Sequence, residues 1–392
     1  MFIENMRAAC VREVRYLRSH PWDLALISWV PVLALSVVWA IFSAGVSTKL
    51  PVAFLDEDHS QLSRKLQIAL DATRAVAIAA QPQSFEDAVA LVRERRAYAI
   101  IQVPRDWERR TERGDPLPVV LYTNEQYHAA NSSISSDVLG AVGSVIGARE
   151  LAALAALGGG FSGAQMRADA LHVDLRSLYS PSLSFERALT GAFLPAILHL
   201  FALGAAAFAI GREFRDRTAA EWLQSAGGNM MAALAGKLLP LLCCFAVLGT
   251  AAMVWLVGYR GWSANGSLLM CSAGFASLIL ACCAIPALLV GLTGTLRVAL
   301  AVCAITNVTA VSFTGFTYPL YSMTTTAKVW SQMLPFHYFF EILQEQWSIG
   351  SPMSVSLVPL ALLWAVFIVP PFALAMPRLA KRCREPAGWG LR

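Results

Sequence analysis

The chain has 392 residues, 56% of them hydrophobic and 15% charged, against roughly 25% charged in an average soluble domain. That composition excludes a disordered or fibrous protein, and a mean hydropathy of +0.54 excludes a simple soluble enzyme, whose surface would not stay dispersed in water. Residues 49–187 hold 32 of the 57 Asp, Glu, Lys and Arg residues, 15 basic and 17 acidic, so one soluble block is embedded in a membrane protein.

Residues 1–20 place Ile3, Met6, Cys10, Val14 and Leu17 at i, i+3, i+7, i+11 and i+14, with Arg7, Arg12, Arg15 and Arg18 on the flanking arc. This spacing predicts a cytoplasmic amphipathic helix lying on anionic membrane lipid before the chain turns inward at Pro21. Residues 21–48 hold the first predicted span, at 24–43, an apolar run of the ~20 residues that a membrane helix needs. The small residues Ser43, Ala44 and Gly45 would also suit a cleaved signal peptide, but the structured lead before the span is too long for one.

Residues 49–187 change period. Short apolar runs at 52–55, 75–79, 97–103 and 119–122 alternate with polar helical patterns, the signature of βα units in a small α+β domain. Ser60 is placed to cap a helix through about Leu70, and Ser84 with Asp87 forms a capping box for residues 85–94. Pro104 and Gly114 bracket another helix, and a long helix at 127–157 ends at Gly158, Gly159 and Gly160. The cluster Asp56, Glu57, Asp58 and His59 invites a metal reading, but a solvated strand-to-helix turn suits its position after a strand and before the Ser60 cap better. The mixed charges between Arg93 and Arg113 read as a solvated face and exclude a nucleic-acid patch.

Residues 188–378 hold five further spans, at 188–210, 238–257, 267–292, 298–317 and 356–376. Between the first two of these lies a charged segment, 211–228, with glycine at both ends. Phe214, Trp222 and Leu223 would give it an apolar contact surface, since an exposed Trp among charges is a common protein-contact anchor; a Trp resting at the lipid interface is the alternative. Within the spans His199 is the one ionisable mid-span residue, and Thr306, Thr309, Phe313 and Phe316 share a face beside Asn307, suited either to an amphipathic substrate path or to helix-to-helix bonding. Residues 318–355 are too polar to span and predict a re-entrant or amphipathic outer segment, with His337, Glu341 and Glu345 at i, i+4 and i+8. Cysteines fall mostly in the spans, where Cys243 with Cys244 and Cys282 with Cys283 read as small packing residues, and the 49–187 block has none to form a disulfide.

Basic residues in short flanks stay in the cytoplasm. The segments 1–20, 211–237, 293–297 and 377–392, which includes the tail at 379–392, carry 14 of them, whereas the loops on the other side carry Arg260 and Lys328. Both termini are therefore expected inside and residues 49–187 outside.

The whole order resembles the permease subunit of an ATP-binding-cassette (ABC) transporter of the type-2 exporter family. Residues 51–60 with Leu62, Ser63 and Arg64 resemble that family's first outer strand and helix. Arg212, Glu213, Thr218, Glu221, Trp222 and Leu223 resemble its cytoplasmic coupling helix, which would also take in Phe214 and Arg217. Gly315, Tyr318, Pro319, Met323, Leu334 and Pro335 resemble its outer segment before the last span. One departure is that the family often has Gly before the Thr, where this chain has Arg217. The resemblance implies a polytopic α-helical protein of six transmembrane helices with an inserted α+β extracytoplasmic domain. It further implies a translocation path in the bacterial cytoplasmic (inner) membrane; the nearly charge-free spans suit an amphipathic or hydrophobic substrate, and Tyr318, Pro319, His337 and Glu341 are expected at an outer gate, a structural salt link between the last two being the alternative. A separate cytoplasmic ABC ATPase would bind the ATP and Mg, and a second permease subunit, identical or a sister, would complete the path; a periplasmic adaptor is a further partner. No cofactor, metal or catalytic residue is expected on this chain. In agreement, it holds no Gly-x-x-x-x-Gly-Lys-Ser/Thr phosphate loop, since Gly236-Lys237 lacks both the earlier Gly and the hydroxyl. The alternatives are a polytopic membrane hydrolase or transferase using His337 and Glu341 as an acid-base pair, or a membrane scaffold for envelope assembly.

Overall fold

The structure is a computed structural model that describes residues 1–42, 48–113, 117–123, 128–156, 185–262, 264–316, 318–386 and 389–390. The expected helix ends at Gly114 and at Gly158, Gly159 and Gly160 lie outside the described residues. The chain divides into two compact units, one of Met1–Phe42 with Ala188–Arg392 and one of Ser43–Arg187.

The first unit opens with α1 (Phe2–Ser19), α2 (Pro21–Ile27) and α3 (Trp29–Phe42). The expected continuous first span is bent by 45° between α2 and α3. Proline at position 31 has no N–H to return to the Ile27 carbonyl, which opens the helix at this point, and Ser28 Oγ donates instead to the Leu24 carbonyl at 2.6 Å.

The Ser43–Arg187 unit is built on β1 (Leu50–Asp56), β2 (Val76–Ala80), β3 (Ala99–Val103) and β4 (Val120–Thr123), in sheet order β2-β1-β3-β4. The first three strands are parallel and β4 is antiparallel to β3. Strand β1 is buried on both faces, which is why it reads as an unbroken apolar run. Val52 and Phe54 pack with Leu62, Leu66 and Leu70 of α4 (Gln61–Asp71) and with Ile134. Ala53 and Leu55 pack on the other side with Ala88 of α5 (Phe85–Arg93). Ser60 and Ser84 cap α4 and α5, accepting from the amides of Ser63 and Asp87. Asp56 and Asp58 of the 56–59 cluster are engaged as turn and cap acceptors, and Glu57 accepts from the Gln102 side chain at 2.8 Å. Asp56 Oδ1 takes the amides of Asp58 and His59, and Asp58 takes the first amides of α6 (Trp107–Glu112). Helix α7 (His128–Ala156) supplies Ile134, Val138 and Ala141 to the core.

The chain returns to the first unit through α8 (Phe185–Arg215), a short α9 (Ala219–Ser225), α10 (Met230–Val254), α11 (Leu268–Thr293) and α12 (Leu296–Ala310). It then passes through α13 (Thr325–Gln332), α14 (Pro335–Leu343), α15 (Met353–Leu362) and α16 (Val369–Arg384). Single π-helical turns extend α10 over Trp255–Tyr259 and α14 over Gln344–Ile349, and join α15 to α16 over Leu363–Ile368. Among the described residues four helical stretches have the length and apolar composition to cross a membrane: Gly191–Arg215, Met230–Tyr259, Leu268–Thr293 and Met353–Arg384. The bent α2–α3 pair makes a fifth if it is one span. The stretch expected to cross at 298–317 is instead the 15-residue α12, short of the usual ~20, and Gly315 just beyond it sits at a left-handed φ of 89°. Helix α11 is the hub, packing against α12, α14 and α16.

Candidate functional site

Helix α8 ends in a polar stretch, Arg212-Glu213-Phe214-Arg215, whose first three side chains are all buried. Charges removed from water persist only when paired and hydrogen-bonded, and the partners come from two distant segments. Glu213 receives both guanidinium NH2 groups of Arg12 on α1, at 2.8 and 3.0 Å, and Lys237 Nζ of α10 at 2.5 Å. Glu13 of α1 accepts from Lys237 at 2.8 Å and from Arg212. The Arg212 guanidinium also lies over the Tyr16 ring, 3.5 Å from its centre. Three cations and two carboxylates thus tie α1, α8 and α10 at one point. Burial works against the charge on Arg12, yet the hydrogen bond and charge of Glu213 outweigh it and hold its pKa above the ordinary value. Burial pushes the Tyr16 hydroxyl up to about 12, helped by its bond to Asp23.

The same knot fixes α9. Thr218 Oγ1 donates to Glu213 at 2.5 Å and the Thr218 amide bonds to the Glu213 carbonyl at 2.9 Å, so the chain reverses just after α8. Trp222, 1% exposed, donates from its indole N–H to the Ala233 carbonyl at 3.1 Å, and Lys237 sits 5.3 Å from its ring centre. The expected apolar contact surface of Phe214, Trp222 and Leu223 is therefore turned inward to clamp α9 onto α8 and α10. The charged segment at 211–228 is the end of α8, a reversal and a seven-residue helix. What faces outward is Arg215, Asp216, Arg217, Glu221 and Gln224. At the reversal Arg217 adopts φ 64°, a left-handed conformation that costs a side-chain-bearing residue ~1–2 kcal/mol. Arg217→Gly is accordingly expected to raise stability by about 0.5–1 kcal/mol after the greater entropy of an unfolded glycine is deducted; a rise in the thermal unfolding midpoint of the purified protein measures it, and a fall would contradict the strain.

The expected path residues are joined to their neighbours. His199 of α8, almost wholly buried, lies with Nδ1 2.8 Å from Asn307 Oδ1 of α12. Thr309 Oγ1 accepts from Trp330 at 3.2 Å, and the Phe313 carbonyl accepts from Ser331 Oγ of α13 at 2.5 Å. Thr306 bonds back to its own helix, and Phe316 packs edge-on to Phe340 with ring centres 5.9 Å apart. Ser331 Oγ is also 3.1 Å from His337 Nδ1, and His337 Nε2 is 3.4 Å from Glu341 Oε1. Ser331 Oγ donates to the Phe313 carbonyl and so is left to accept from His337 Nδ1. Burial lowers the His337 pKa; burial, then the charge of Glu345, raises that of Glu341. Both shifts are in the direction of the uncharged form. Tyr318 is exposed and Pro319 precedes the 3-10 turn Leu320–Ser322.

Residues 21–375 match the family model described as ABC-2 family transporter protein. The chain belongs to that family. No curated protein matches the chain. Membership makes it an ABC type-2 permease, the membrane component of an ABC transporter, and implies partnership with an ABC ATPase subunit. It is a multi-pass membrane protein by family and by its apolar helices.

In this ABC-2 protein the decisive residues that sequence reasoning missed are Glu13, Lys237 and Ser331. An acid within a basic helix and a Lys one residue before an apolar run were the available signals for the first two. The stripe on α1 is also revised. Met6, Ala9 and Leu17 pack into the first unit's core and α1 lies along α10, leaving Ile3 as the exposed end of the stripe.

Proposed function

We propose that this chain is the membrane-spanning subunit of an ATP-driven exporter, coupled to its ATPase through the outward residues of the α8–α9 reversal. The observation that carries the reading is the buried knot of Arg12, Glu13, Arg212, Glu213 and Lys237. A force on α9 is passed at once to α8, α10 and α1, because none of these can move alone without leaving a buried charge unpaired. ATP binding to the partner would move α9, and the coupling free energy is the difference in those contacts between two states. Six spans in each of two subunits would line the path, the 49–187 domain would stand outside, both termini would be cytoplasmic, and ATP and Mg would stay on the ATPase. The few polar groups of α12 suit an amphipathic or lipid-like substrate. The membrane-enzyme reading is the weaker one: His337 and Glu341, its acid-base pair, are held to each other and to Ser331 within the α13–α14 segment, as a structural link would be.

The test is a paired substitution of exposed residues, Glu221→Ala with Gln224→Ala. Surface changes of this kind alter stability by roughly 0.5 kcal/mol or less. The variant is expected to keep the thermal midpoint of the native protein while losing co-purification with the ATPase and ATP-dependent substrate movement in reconstituted vesicles. Full ATP-dependent movement in the variant would sink the assignment.

A further inference from the structure

The faces of α1 divide sharply. At 100° per residue, Met6, Ala9, Glu13 and Leu17 fall on one side, turned to α10 and to the buried charges. On the opposite side Arg7, Val11, Arg15 and Arg18 fall within an arc of roughly 80°, and all four are exposed. Arg12 is bonded inward to Glu213, whereas Arg7, Arg15 and Arg18 have no ion-pair partner among the described residues. Glu4, in the same arc, is held by the N-terminal ammonium at 3.0 Å. Just past α1 in the chain, Trp22 is 79% exposed and Trp29 is exposed as well.

The depth of this arc follows from α10. Gly236 lies against Met6, Ala9 and Cys10, and Leu17 with Leu241 lines a common cleft, so α1 runs beside the first turns of α10. The helical stretch Met230–Tyr259 has 30 residues, about 45 Å at 1.5 Å per residue, against a hydrocarbon core of ~30 Å. With the expected span starting at 238, the surplus turns include those that α1 accompanies, and these would fall at headgroup level, where cations meet lipid phosphate and tryptophan marks the interface.

We propose that the Arg7–Arg15–Arg18 arc of α1 is a binding surface for anionic phospholipid headgroups, which hold α1, and through the buried charges the α8–α9 reversal, at a fixed depth. The proposal rests on the reading of α1 as lying at the cytoplasmic membrane face. The apolar stripe expected to meet lipid is used for packing, and the cationic side takes that role. The phosphates would accept from the guanidinium groups, with Val11 and Trp22 against the upper acyl chain.

The probe is phosphatidylglycerol against phosphatidylcholine, titrated into the full-length protein in detergent, with bound lipid and the thermal midpoint as readouts. Each basic group near an anionic surface is worth about fivefold in affinity, so the variant Arg7→Gln, Arg15→Gln, Arg18→Gln is expected to bind phosphatidylglycerol on the order of a hundredfold more weakly. The corresponding triple lysine variant should keep most of the preference, and raised salt should weaken it. The arc is solvent-exposed, so these variants are expected to fold as the parent does. Equal binding of the two lipids by the native protein overturns the proposal, as does a glutamine variant that keeps its phosphatidylglycerol preference. If that variant keeps the preference but loses the ATPase, the arc is a protein contact; the lipid proposal then fails while the permease reading stands.

Discussion

Glu213→Ala is expected to destabilise the protein by about 3–5 kcal/mol, the usual consequence of removing one member of a buried charge group. Its carboxylate is the shared acceptor for Arg12, Lys237 and Thr218. Alanine would leave Lys237, 2% exposed, with Glu13 alone, and Arg212 competes for that same carboxylate. Water cannot screen the surplus charge at this burial, so the discount that applies to surface pairs does not apply here. Thermal unfolding of the purified protein measures the loss. A double variant, Glu213→Gln with Lys237→Met, removes one charge of each sign and is expected to recover a large part of it, since replacing a buried pair by neutral groups is often close to neutral. A single variant within 1 kcal/mol of the parent would show the knot to be hydrated and mechanically slack.

What could be read from sequence and what could not divides along the range of the interaction. The Ser60 and Ser84 caps were legible because acceptor and amide lie three residues apart. The buried β1 strand was legible because both of its faces are apolar. The charge knot was not, since Glu13 and Lys237 are 224 residues apart and only the packing of α1 on α10 brings them together. Trp222 was misread for a related reason. A Trp in a short run of charges looks the same in sequence whether it faces a partner or its own fold, and the acceptor that decides, the Ala233 carbonyl, lies on α10. The bend in the first span and the shortness of the helix in the 298–317 stretch were not legible, because apolar composition records tolerance of the membrane and says little about where Pro31 or Gly315 redirects the backbone.

The buried knot also explains why so few groups of the α8–α9 reversal are free to meet another protein. Its apolar members are consumed in clamping α9 onto α8 and α10, and its charged members divide into an inner set that joins α1, α8 and α10 and an outer set of Arg215, Asp216, Arg217 and Glu221. On the proposed function, stiffness and recognition would fall to different residues of one short segment, which would make them separable by mutation.

That stiffness depends on how closely α1 approaches α10, and Gly236 sets the approach. A Cβ at Gly236 would lie 2.3 Å from the Met6 carbonyl oxygen, 2.7 Å from Ala9 Cβ and 3.0 Å from the Cys10 amide nitrogen. Two of those atoms are backbone, so no rotamer change relieves the clash and α1 as a whole must move outward. A shift on the order of 1 Å would lengthen Glu13 to Lys237 and Arg12 to Glu213 together, adding unpaired buried charge to the ~1–3 kcal/mol usual for overpacking. Gly236→Ala is therefore expected to destabilise by about 3 kcal/mol or more and to weaken ATPase coupling even though the residue stays far from the outward charges. Gly204→Ala in α8 is the matched control, since a Cβ there meets no atom within 4 Å and the gain in helix propensity should leave stability unchanged or higher. Equal thermal midpoints for the two variants would mean that the α1–α10 contact is loose enough to absorb a methyl group, and the rigid linkage between α1 and the α8–α9 reversal would fall with it.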